Sequence, residues 1–149
     1  MYRHILVPID GSKIALQAAD HSITLGRLLG SQLTFVTVSE TLTSLGDRQH
    51  AFAGAPETLR RQALEYLEAE SRDVLGQSKQ AAEAHGVAAD TLLVDAVHPY
   101  EAIISTAKLI GADLIVMGSH GRSGLKAVLL GSVTQKVLTH TDLPVLVLR

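Results

Sequence analysis

The residues whose types and spacing could do chemistry lie between Leu114 and Thr134, in LIVMGSHGRSGLKAVLLGSVT. An apolar run, Leu114 to Met117, reads as a buried strand. It breaks at Gly118, Gly121 and Gly124, and Gly131-Ser132 then opens a periodic stretch from Val133 to His140. A glycine-rich loop between a strand and a helix start is suited to holding phosphate. Glycine lets the backbone come close to a ligand, and N–H groups of the loop and the helix start point at the anion. Gly118, Gly121, Gly131 and Ser132 are therefore expected to receive phosphate through backbone N–H groups and the Ser132 hydroxyl. Val133 and Thr134, in the first helical turn, would add N–H groups and one more hydroxyl. The alternative is a helix-packing turn that holds no ligand.

Two familiar phosphate loops do not fit. A Walker A loop ends in Gly-Lys followed by Ser or Thr, whereas Lys126 stands between Leu125 and Ala127. The dinucleotide fingerprint G-x-G-x-x-G belongs to a first strand-to-helix turn; here the spacing is G-x-x-G and falls late in the chain. What remains is Gly118 and Gly121, nine residues, then Gly131-Ser132.

Other polar residues can be placed around this loop. Asp10 follows the first apolar run and could accept from a sugar hydroxyl or help hold a divalent cation; it could equally be a turn residue beside Ser12. Arg122 could pair with phosphate charge or remain solvated. His120 could position a water or donate to phosphate, or be a plain surface histidine. The seven histidines show no H-x-x-x-H or similar spacing, so a metal site built by protein ligands is not expected. Magnesium carried in with phosphates needs few protein ligands. No G-x-S-x-G elbow or metalloprotease motif is present. Binding is better supported than turnover, for which only Asp10 and His120 are candidates.

These residues need elements to position them, and the apolar pattern supplies them. Ile5 to Ile9 reads as a buried strand ended by Asp10-Gly11-Ser12, with Ser12 as helix cap. Ala15, Ala18, Ala19, Ile23 and Gly26 recur at helical spacing to Leu29, and Gly30 suits a helix end. Gln32 to Val38 is a second strand. Glu40 to Pro56 is long for a connection inside a domain, a length associated with functional or mobile loops. From about Glu57 the pattern is helical for nearly 30 residues, with Leu59, Ala63, Leu67, Val74 and Ala81 facing one way, until Gly86. Thr91 to Asp95, Asp113 to Met117 and Pro144 to Leu148 complete five strands, with a helix from Pro99 to near Gly111 between the third and fourth. Such alternation predicts one α/β domain, residues 1–149, with a mainly parallel five-stranded sheet between two helical layers. Ligands of open sheets bind beyond the carboxyl ends of the strands, at the switch in strand order. The glycine loop is expected there.

Composition agrees with a compact domain. The 149 residues are 46% hydrophobic and 19% charged, which fits a globular chain. A net charge of −2 without a basic block argues against nucleic acid as partner. No apolar run reaches the roughly 18 residues of a membrane span, and Met1 to His4 lacks a signal-peptide layout. The absence of cysteine excludes disulfides and suits the cytoplasm.

The glycine spacing, the opening YRHILVPIDGS (Tyr2 to Ser12) and the closing GSVTQKVLTHTDLPVLVLR (Gly131 to Arg149) together resemble the universal stress protein family, in its ATP-binding form. The resemblance runs nearly end to end. It implies a Rossmann-like fold of the adenine nucleotide alpha hydrolase kind. It also implies ATP, with Mg²⁺, in a crevice between the first, second and fourth strands, and a role as a nucleotide-dependent switch in a stress response. Pro8 and Val38 would be adenine-side contacts, Met117 would line the same pocket, and Asp10 would be a site residue. The last strand would pair across a two-fold axis into a homodimer; a monomer with that edge covered by the 40–56 segment is the alternative. Slow ATP hydrolysis or phosphotransfer, and a protein-interaction module without nucleotide, are the competing functions. One departure stands out: Ala96-Val97-His98-Pro99 occupies the place where relatives often have a Gly-Asp-Pro turn, so the start of that helix is expected to differ.

Overall fold

The computed structural model describes residues 1–39, 54–120 and 130–149. Gly121, Arg122 and Gly124, and all but the last three residues of the long connection expected at Glu40 to Pro56, lie outside the described residues. Along the described chain the order is β1 (His4–Pro8), α1 (Lys13–Leu29), β2 (Gln32–Ser39), α2 (Glu57–Ala84), β3 (Ala89–Asp95), α3 (Pro99–Ile110), β4 (Leu114–Gly118), α4 (Ser132–His140) and β5 (Val145–Leu148). The five strands form one sheet in the order β3-β2-β1-β4-β5, and every pairing is parallel. The chain winds outward from β1 to β2 and β3, then crosses back to β4 and β5. The switch in strand order therefore falls between β1 and β4.

The turn chemistry works as the residue types dictate. The Ser12 hydroxyl accepts the Ala15 N–H at 3.3 Å and caps α1. Gly30 and Gly111 close α1 and α3 in the left-handed conformation, with φ of 69° and 67°, where a Cβ would be strained.

Alternation along β1 divides the core in two. Ile5, Val7 and Ile9 face α1 and α2, together with Phe35, Ala18, Ile23, Leu75 and Ala82. Leu6 faces α3 and α4, with Val36, Ile115, Met117, Ile103 and Val137. Ile5, Leu6 and Val7 are wholly buried, as a central strand covered on both faces must be. This is the expected three-layer α/β/α arrangement.

Strand ends differ from the sequence pattern by a residue or two, because backbone pairing sets them. β3 starts at Ala89, not Thr91, where Leu33 pairs with Ala89. β4 runs on to Gly118, which pairs with Leu148. Beyond Pro8 the ladder continues by one bond, Ile9 N–H to the Val36 carbonyl at 2.8 Å.

Two larger differences have physical causes. The apolar stripe of α2 is not buried throughout: Leu75, Ser78 and Ala82 are, while Leu59 and Leu67 are 50% and 42% exposed. A helix of 28 residues is about 42 Å long, whereas the eight residues of β2 extend only about 26 Å. The sheet cannot cover both halves. At α3, His98 occupies the cap position and its side chain makes no cap hydrogen bond. The departure from Gly-Asp-Pro thus leaves the helix start without the acceptor an Asp would supply.

Candidate functional site

Three of the residues expected around a base sit on one face of the sheet. By strand alternation Pro8 shares its face with Leu6, Val38 with Val36, and Met117 with Ile115. That face is the one covered by α3 and α4. Pro8 and Val38 are half-buried, whereas Met117 is 5% exposed and is part of the core.

Asp10 lies just past β1 at the same end. Its Oδ1 accepts the Ser12 N–H at 2.9 Å, and Gly11 between them has φ of 78°. This Asx turn delivers the chain into α1. The Thr37 hydroxyl donates to the Ile9 carbonyl at 2.8 Å, holding the end of β1 against β2.

On the other side of the switch point, Gly118 ends β4 and Gly131 caps α4. Space is tight at both glycines. A Cβ at Gly118 would stand 3.0 Å from Cγ2 of Ile14 and 3.1 Å from its Cγ1. A Cβ at Gly131 would stand 3.0 Å from the His120 Cα and 3.2 Å from the Ser119 carbonyl oxygen, both of them backbone atoms that cannot yield separately. Gly131 has φ of −59°, so it is closeness and not backbone angle that disfavours a side chain there.

The donors divide unevenly among the expected phosphate contacts. The Gly131 N–H is given to the Ser119 carbonyl at 2.6 Å, so it is engaged within the protein. The Thr134 hydroxyl donates to the Gly118 carbonyl at 2.9 Å, with Thr134 only 2% exposed. Both groups, expected to face phosphate, have partners within the protein, and each fastens α4 to the end of β4. The N–H groups of Ser132, Val133 and Thr134 are the first of the helix and have no intrahelical acceptor. Gly131, as cap, has no side chain to receive them. Ser132 is exposed and Val133 half-buried. An anion at this helix start would meet three backbone donors and the positive end of the helix dipole.

Ser119 was not among the residues read from the sequence. Its N–H donates to the Leu148 carbonyl at 2.7 Å, and its hydroxyl lies 3.1 Å from Nδ1 of His120. Its part is played largely by the backbone, which a residue type does not announce. Among the described residues no three His, Asp or Glu side chains converge to hold a metal ion. No helix among them is long and apolar enough to cross a membrane.

A parallel sheet between two helical layers, with a glycine-bounded helix start beside its switch point, is the plan of the Rossmann-like α/β proteins. The sequence model of the universal stress protein family matches residues 1–149, and the chain belongs to that family. It is 33% identical to universal stress protein MJ0531 of Methanocaldococcus jannaschii, covering 100% of this chain and 83% of that protein. With universal stress protein YxiE of Bacillus subtilis the identity is 32%, over the full length of both. The solved structure of M. jannaschii MJ0577 superposes with a TM-score of 0.81 at 30% identity, covering 99% of this chain and 96% of that one. The fold is shared by a universal stress protein solved in complex with cAMP (TM-score 0.70, 23% identity, 99% and 97% covered). It is shared too by one from Archaeoglobus fulgidus solved with dAMP (TM-score 0.68, 19% identity, 99% and 98% covered).

Proposed function

We propose that this universal stress protein binds an adenine nucleotide, ATP with Mg²⁺, at the carboxyl ends of β1, β2 and β4. The observation that carries the reading is the start of α4, where a glycine cap packed on His120 leaves three helical N–H groups without intrahelical acceptors or a side-chain cap. That arrangement fits a phosphate group, and the solved relatives with cAMP and dAMP support an adenine nucleotide as its bearer. In this reading Ser132, Val133 and Thr134 hold phosphate by their N–H groups, and Ser132 adds its hydroxyl. Gly118 and Gly131 keep the approach clear, while Gly121 and Arg122 complete the loop. Pro8, Val38 and Met117 form the apolar side for the base, and Asp10 faces the sugar or the cation. The metal neutralises phosphate charge when bound; the residues here supply orientation.

The nucleotide state would be read by a regulatory partner in a stress response, and the protein would act in the cytoplasm as one domain. Two copies would pair through β5, which lies at the sheet edge. Heat-denaturing purified protein and identifying released small molecules by mass spectrometry, followed by calorimetric titration with Mg-ATP, tests the nucleotide reading. Release of ATP or ADP, or saturable heat lost in Gly131→Val, is the expected result. No release and no heat would overturn it.

A further inference from the structure

The peptide unit joining Gly118 to Ser119 has a partner at each end. Its carbonyl, on Gly118, accepts the Thr134 hydroxyl in the first turn of α4 at 2.9 Å. Its N–H, on Ser119, donates to the carbonyl of Leu148, the last residue of β5, at 2.7 Å. A trans peptide is a rigid plane whose C=O and N–H point in opposite directions. One plane therefore ties the helix start proposed to hold phosphate to the outermost strand of the sheet. The next peptide adds a second tie, because the Ser119 carbonyl accepts the Gly131 N–H at 2.6 Å.

Among the described residues β5 is paired on one side only. It is a four-residue strand at the edge of the described sheet, next to β4. Its bonds to β4 use the carbonyls of Pro144, to Ile115 N–H at 3.0 Å, and of Leu148. By the alternation of a parallel strand, the N–H and C=O groups of Val145 and Val147 then face the open edge. The strand is Val-Leu-Val-Leu with Leu146 45% exposed, an edge of the kind that accepts another strand. Asp142 precedes it and Arg149 follows it, both exposed. Antiparallel pairing with a second copy brings each Arg149 toward the other copy's Asp142, so the edge is complementary to itself in charge.

We infer that nucleotide occupancy and edge pairing of two copies are coupled through the Gly118–Ser119 peptide. The inference rests on the proposed phosphate site and deepens it. Pairing at Val145 and Val147 fixes β5 on its second side. The Leu148 carbonyl then holds the Ser119 N–H, and the same plane holds Thr134 and the donors of α4 in their anion-binding positions. By linkage, an anion that fixes α4 must strengthen the pairing by the factor by which pairing strengthens its binding.

The test uses the full chain and Mg-ATP as probe. Val147→Pro removes an outward N–H from an edge strand, a position where proline is tolerated. It is expected to be monomeric by sedimentation velocity and to bind Mg-ATP at least tenfold more weakly than wild type by calorimetry. In parallel, the dimer dissociation constant of wild type is expected to fall at least tenfold on saturation with Mg-ATP, a measurement that needs no variant to fold. A monomeric Val147→Pro with wild-type affinity, a wild-type dimer constant indifferent to Mg-ATP, or wild type monomeric at all concentrations would overturn the coupling and leave the site reading standing. Wild type that binds no Mg-ATP would remove the site reading and the coupling with it.

Discussion

Gly131 lies so close to His120 that a single methyl group on it would reach within 3.0 Å of the His120 Cα. The contact is backbone against backbone, so relief requires moving either the start of α4 or the end of the β4 segment. The start of α4 carries the N–H groups proposed to hold phosphate.

Gly131→Ala is therefore expected to weaken Mg-ATP binding at least tenfold, about 1.4 kcal/mol. Destabilisation of the fold should stay within the roughly 1–3 kcal/mol typical of overpacking. Its φ of −59° is compatible with alanine, so no backbone strain is added. Calorimetry and urea unfolding separate the two effects; unchanged affinity would detach the glycine from the site.

Thr134→Val keeps the shape of the side chain and removes the hydroxyl that the buried Gly118 carbonyl accepts. Leaving that carbonyl without its donor is expected to cost about 1–3 kcal/mol in urea unfolding. Thr134→Ser retains the bond and should lose less. An unchanged Thr134→Val beside a destabilised Thr134→Ser would mean that the hydroxyl contributes nothing and the methyl contact everything.

Asp113 gives a pH dependence of known sign. Its carboxylate accepts the Arg3 N–H at 3.1 and 2.9 Å and the His4 N–H at 3.1 Å, pinning the start of β1 to the start of β4. Burial alone would raise its pKa, but these N–H groups, its own N–H and the charge of His4 together bring it below the ordinary value. A lowered pKa contributes stability that is present at neutral pH and lost as pH falls below about 4 through the folded-state value. Asp113→Asn keeps an acceptor oxygen and loses the charge. After solvent screening it should cost about 1 kcal/mol at pH 7 and progressively less toward pH 3. Parallel unfolding curves across that range would show that the charge is idle.

The start of α3 offers a gain. His98 makes no cap hydrogen bond there, and aspartate is among the strongest cap residues. His98→Asp is expected to raise stability by about 1 kcal/mol. It gives up the tilted ring contact with Tyr100 at 6.2 Å. A fall in the thermal midpoint would mean that the ring contact outweighs the cap.

The sequence by itself determined the order and type of the elements, because each rests on local chemistry. Ser12 caps, Gly30 and Gly111 stop helices, and the apolar runs of β1 and β4 are too short and too continuous for anything but buried strands. It also marked the glycine loop proposed to hold phosphate, since the separation of Gly118 and Gly131 is a property of chain alone. Only the tertiary structure decided which donors remain for a ligand. The Gly131 N–H and the Thr134 hydroxyl are committed to Ser119 and Gly118, partners 12 and 16 positions away, and no periodicity reports a bond across that distance. The same holds for α2, where pattern marks an apolar stripe but the length of the sheet decides how much of it is covered. Strand order, which brings the ends of β1 and β4 together and leaves β5 at the edge, is likewise set by packing two helical layers on one sheet. Side-chain type writes the elements; backbone partners far apart in the chain write the site.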